Sequence, residues 1–142
     1  MRMSRPKREN QAQAREIRAR SLFDEFELGL ARAILEANEK SVPALQVMGQ
    51  ALTRSGRHQE ALEADLRLAG LRPRDPITYY NLACSYSNLE NLDGAFDALR
   101  RAFELGYNDY KHLLKDPDLE NVRRDRRFKM LLDKKWGKRS PS

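Results

Sequence analysis

The stretch Tyr79-Tyr80-Asn81-Leu82-Ala83-Cys84-Ser85-Tyr86, followed by Ala95, Leu99 and Ala102, decides how the chain folds. Tyr79, Leu82 and Tyr86 recur three and four residues apart, the spacing that aligns side chains on one face of a helix. A polar break at residues 88–91 follows, and then a second stripe through Ala95, Phe96, Leu99 and Phe103. Two stripes of helical period with a short break between them predict a helical hairpin.

The same pattern stands 34 residues upstream, so that residues 42–75 superimpose on 76–109. The matched pairs are Leu45/Tyr79, Met48/Leu82, Gly49/Ala83, Leu52/Tyr86, Ala61/Ala95 and Leu68/Ala102. The first copy breaks at residues 54–58 and resumes through Ala61, Leu62, Leu66 and Leu68. Small residues at Gly49, Ala83, Ala61 and Ala95 let two helices approach closely. Pro73 and Pro76 stand where one hairpin must end and the next begin. One hairpin leaves an apolar side uncovered and stacking covers it, which predicts an all-α, short solenoid of antiparallel helical hairpins.

This arrangement resembles the tetratricopeptide repeat, with its large residue, Leu, Gly or Ala, and Tyr on the first helix, and Ala, an apolar residue and Pro on the second. Two positions depart from it. Asp65 stands where an apolar residue is expected, predicting a looser or exposed patch, and Tyr107 replaces the second Pro, predicting that the array stops there. Beyond it, Asp116-Pro117-Asp118-Leu119, Arg123, Phe128, Leu131 and Leu132 are similar to the terminal module of bacterial end-of-group tetratricopeptide proteins. The segment predicts a short helix through Leu114, a turn at Pro117 capped by Asp116, and a final helix with Phe128, Leu131 and Leu132 inward. Arg126 stands where that module usually has Pro, predicting a less sharp start. Leu22, Phe23, Phe26, Leu30, Ile34 and Leu35 suit the second helix of a partial repeat at the head of the array.

The expected organisation is therefore a basic, frayed extension at 1–20 and a repeat domain at 21–135, followed by a disordered tail at 136–142. Within the domain, 21–41 is a partial repeat, 42–75 and 76–109 are full repeats, and 110–135 is a C-terminal helical cap. The 142 residues are 40% hydrophobic and 34% charged, and no run approaches the roughly 20 apolar residues of a membrane helix. The beginning of the chain lacks the apolar run of a secretory signal, and the lone Cys84 rules out an internal disulfide or a cysteine metal cluster, so a cytoplasmic location is expected. The net charge of +6 hides a segregation: residues 1–20 carry +5 and 122–142 carry +7, leaving a body at −6. Basic charge confined to the ends weakens a nucleic-acid reading.

Catalysis finds little support. His58 and His112 lie without a serine or cysteine motif, no glycine-rich phosphate loop is present, and no metal-ligand spacing occurs, so no enzyme activity, cofactor or metal is expected. Cys84 reads as a small apolar filler. The resemblance implies a concave groove lined by the first helix of each hairpin: Gln46, Gln50, Thr53 and Arg54 from one, and Tyr80, Asn81, Cys84, Ser87 and Asn88 from the next. Lys111 and Lys115 would join from the following short helix. Such a polar, mildly basic face suits an extended peptide of a protein partner and predicts an interaction adaptor. Asn81, Lys111 and Lys115 partly resemble a clamp for a C-terminal carboxylate, although Gln46 and Gln50 stand where that clamp needs Lys and Asn. Two rivals stay open: nucleic-acid association through Arg123, Arg124, Arg126, Arg127 and Lys129, and homo-oligomerisation through the N-terminal helix.

Overall fold

The computed structural model describes residues 5–137, all of whose regular elements are helical. Helix α1 (Arg5–Ala37) leads into two hairpins, α2 (Val42–Arg54) with α3 (His58–Leu71) and α4 (Pro76–Asn88) with α5 (Leu92–Glu104). The cap comprises α6 (Tyr110–Lys115), a 3-10 turn (Pro117–Leu119), α7 (Glu120–Arg123) and α8 (Arg126–Trp136). Both α2 and α4 have 13 residues and start 34 apart, and α3 and α5, of 14 and 13 residues, also start 34 apart, so the repeat seen in sequence is a repeat in space. Each helix packs on its neighbour in chain order from α1 to α5.

Short polar side chains set the helix starts. Ser41 accepts from the Ala44 amide, Asp75 from Ile77, Asn91 from Gly94, and Asp109 from His112. Each satisfies an amide that the first turn leaves without a partner. Asp116 caps the 3-10 turn as expected, and Asp125 caps α8 by accepting from the Arg127 amide at 2.9 Å. The start of α8 is therefore sharp, because the Asp125 cap defines it without a proline at Arg126.

The core lies mainly in the second repeat and the cap, where Leu82, Phe96, Leu99, Leu113, Leu119, Val122 and Phe128 are buried together. Leu131 and Leu132 pack half-buried against it. A smaller cluster of Leu28, Ala51, Leu52 and Ala61 holds α1 to the first hairpin. Between the repeats, Asp65 does not make the loose, exposed patch expected of it. It is 5% exposed and accepts from the Ser85 hydroxyl at 2.5 Å, while Leu66 turns outward at 45%. The close approach at Gly49 serves this bond, since a Cβ there would stand 3.0 Å from Asp65 Oδ1.

The ends differ from expectation. No break occurs at residue 20, and the basic segment is helical from Arg5, supported by good helix formers and the i,i+4 pairs Arg5–Glu9 and Arg20–Glu16. Leu28 and Ala31, with Asp24, are the residues α1 buries, whereas Leu22, Phe23, Phe26, Leu30 and Ile34 are exposed and Leu35 is half-buried. On the same side as Leu28 and Ala31, Asp24 is held by Arg54 at 3.1 Å. At the other end, Trp136 belongs to α8 and packs edge-on to Phe103 and Tyr110, so the tail does not begin there. The remainder of both expected extensions, residues 1–4 and 138–142, lies outside the described residues.

Candidate functional site: the concave groove

Helices α2 and α4 present one side to their hairpin partners and the other to a shared concavity. On α4, Leu82 and Ala83 enter the core, Asn81 faces the open side, and Tyr80 and Cys84, buried in the same core, also line the cavity. Gln46, Gln50 and Thr53 come from α2 and Asp65 from α3, while His112, Asp116 and Asp118 close the far wall from the cap. The cavity has a volume of about 310 Å³.

Seven of the eleven residues read from sequence meet here: Gln46, Gln50, Thr53, Arg54, Tyr80, Asn81 and Cys84. Arg54 has a second task, reaching Asp24 and Glu27 of α1. Ser87 is instead fully buried, and its carbonyl accepts from Asn121. Asn88 braces the wall from behind by donating to Asp118 at 3.2 Å. Lys111 and Lys115 are exposed outside the cavity, because α6 presents His112 and then Asp116 to it. The mildly basic groove is thus corrected to an acidic one: Asp65, Asp116 and Asp118 line it, and the cations of the carboxylate clamp are absent from it. Asp65 was signalled by its misfit in the repeat. Asp116 was legible as a cap, yet its place in the wall depends on how the cap folds back.

Asp116 is the hub of that wall. Its Oδ2 accepts from the Tyr80 hydroxyl at 2.5 Å and stands 3.2 Å from His112 Nε2, and its Oδ1 accepts from the Asp118 amide. Cys84 Sγ lies 3.8 Å from the same Oδ2. Burial pushes the Cys84 thiol well up, and the charges of Asp116 and Asp118 push it further. That is the reverse of the cationic setting that activates a thiolate, even though the fold brings His112 into the same cavity. Cys84, Asp116 and Asp118 place ligand-type atoms within 4.8 Å of one another, but hydrogen bonds from Tyr80, Asn88 and the Asp118 amide already engage both carboxylates. Asp65 is pushed up to about 6 by burial, with the Ser85 hydroxyl opposing the shift.

The basic residues of the cap are largely occupied. Arg123 donates to the carbonyls of Leu113 and Asp116, Arg124 pairs with Glu120, and Arg127 pairs with Asp93 and Asp125 while lying over the Phe96 ring at 4.5 Å. Three of the five cations proposed for phosphate contact therefore hold the cap to itself and to α5.

Residues 77–106, spanning nearly all of α4 and α5, match the tetratricopeptide repeat. The chain carries a tetratricopeptide repeat. A chloroplastic protein of Arabidopsis thaliana is similar to it, at 36% identity over 87 residues that cover 59% of this chain and 26% of that protein. The chain thus spans about a quarter of that relative's length. No solved structure matches it. The concavity faced by α2 and α4 is, in tetratricopeptide terms, the surface formed by the first helices of successive repeats. Among the described residues, no helix is long and apolar enough to cross a membrane.

Proposed function

We propose that the chain is a non-catalytic protein-interaction adaptor whose concave face takes an extended, basic segment of a partner protein. The observation that carries this reading is a rim of amide side chains, Gln46, Gln50 and Asn81, above three carboxylates in one cavity. Amides offer donors and acceptors together, which an extended backbone needs. Asp65, Asp116 and Asp118 select a Lys or Arg side chain over an acidic one by charge complementarity. The repeat match supports a protein partner, and the raised Cys84 thiol supports the absence of nucleophilic chemistry.

Selection from a display library of random, unstructured dodecapeptides tests it. Recovered peptides are expected to be enriched in Lys or Arg, to bind more weakly as salt is raised, and to lose at least fivefold in affinity with Asp118→Asn or Gln50→Ala while circular dichroism is unchanged. Asp118→Asn keeps an acceptor for Asn88, so it removes charge without removing the brace. Recovery of acidic peptides, or indifference to both variants, would refute the reading.

A further inference from the structure

We propose that two copies of the chain pair antiparallel along α1, through the apolar stripe that the fold of one copy leaves bare. Against α2, α1 uses Asp24, Leu28 and Ala31. Leu22, Phe23, Phe26, Leu30 and Ile34 follow one another at helical spacing on the other side and are 42–68% exposed. Isolated exposed apolar residues are ordinary, whereas a contiguous stripe marks a contact surface. Each of these side chains leaves on the order of 100 Å² in water, so two stripes face to face bury on the order of 1,000 Å², where specific interfaces begin.

Charge along α1 favours a second copy as the occupant. Residues 5–20 carry six basic side chains against Glu9 and Glu16, and residues 21–37 carry four acidic ones against Arg32. Parallel pairing would set like charge beside like, while antiparallel pairing about Phe26 sets Arg15 and Arg18 of one copy beside the acidic end of the other's α1. With Phe26 near the two-fold axis, Phe23 of one copy meets Leu30 of the other, and Arg15 and Arg18 lie along the second copy's Glu36. Among the described residues, none of these three charges enters an ion pair within the chain.

Sedimentation equilibrium of the whole chain tests the proposal. The expected mass is that of two chains, reduced to one by Phe26→Asp with Leu30→Asp, and both substituted side chains are already in solvent, so helicity is retained. Arg18→Glu should weaken the dimer by roughly tenfold, and adding Glu36→Arg in the same chain should restore it. A monomeric wild type, a dimer indifferent to the Phe26 and Leu30 changes, or a failure of the charge reversal to restore pairing overturns the proposal. So does a monomer that sediments with anionic phospholipid vesicles through the same stripe, which would assign the face to a membrane surface.

Discussion

The Tyr80 hydroxyl donates to Asp116 across 2.5 Å and so ties the groove wall of the second repeat to the turn that opens the cap. Tyr80 and Asp116 are 4% and 7% exposed, and the Tyr107 ring stacks on Tyr80 with centroids 4.4 Å apart. A buried carboxylate that loses a donor keeps the desolvation penalty the bond had offset. Tyr80→Phe, which preserves the stack, should destabilise the fold by about 1–3 kcal/mol. Asp116→Ala should do more, because it also removes the cap on the Asp118 amide. Urea unfolding with an unchanged slope checks both, and equal stability of Tyr80→Phe and wild type would show that the bond contributes nothing.

Asp65 makes a prediction about pH. Burial raises its carboxyl from 3.8 to about 6 in the folded chain. Between those values the unfolded chain has released this proton while the folded chain still holds it, so this group's contribution to stability falls as pH rises through that window. The loss reaches about 3 kcal/mol at neutral pH, as an order of magnitude. Asp65→Asn keeps an acceptor for Ser85 without a charge to bury. The variant should be more stable than wild type by about 1–3 kcal/mol at pH 7, with the difference shrinking toward pH 4. Urea midpoints of the two proteins across that range decide it. The same variant should bind basic peptides less well, since it removes one of the groove's charges.

The architecture was legible because the 34-residue spacing appears at every level: apolar pairs, helix lengths and loop positions. The groove was legible only where the helical period alone places a side chain, as at Gln46, Gln50 and Asn81. Ser87 defeated that rule because the cap folds over it, and Lys111 defeated it because a rotation of α6 by about 100°, one residue's worth, exchanges it for His112. Asp65 looked like a flaw when read against an apolar pattern, and its partner Ser85 stands 20 residues away, beyond any local rule. The face that α1 buries was not read from sequence: Leu22, Phe23 and Phe26 outweigh Leu28 and Ala31 in apolar bulk, and Asp24, on the buried side, meets Arg54 30 residues away.

The two repeats close their first helices with the same loop but not with the same residue. Gly56 has φ of 75°, and Glu90, its equivalent in the second copy, has φ of 60°. In both, the following amide returns to the carbonyl five residues back, Arg57 to Leu52 and Asn91 to Tyr86, each at 2.9 Å. A left-handed residue with a Cβ costs roughly 1–2 kcal/mol that glycine avoids. Glu90→Gly should therefore stabilise the chain by about 1 kcal/mol, and Gly56→Glu should destabilise it by a similar amount. Thermal unfolding of the pair checks the sign of each, and a destabilised Glu90→Gly would show that the Glu90 side chain makes a contribution larger than its backbone strain.

Trp136 closes α8, the last described helix of the cap. Its ring lies edge-on to Phe103 at 5.1 Å and to Tyr110 at 5.0 Å, and the neighbouring Lys135 ammonium donates to the Phe103 carbonyl. A chain stopped after Leu132 loses these contacts together, although it keeps Phe128, Leu131 and Leu132. Trp136→Ala should cost about 1–3 kcal/mol, less than a fully buried aromatic because the ring is half-exposed. The chain has one tryptophan, so its fluorescence reports this contact without interference from another. Stopping after Leu132 should destabilise at least as much as Trp136→Ala. If stopping after Leu132 left the midpoint where it is in the whole chain, the last turns of α8 would contribute nothing to the cap, and the packing of Trp136 would have no energetic weight.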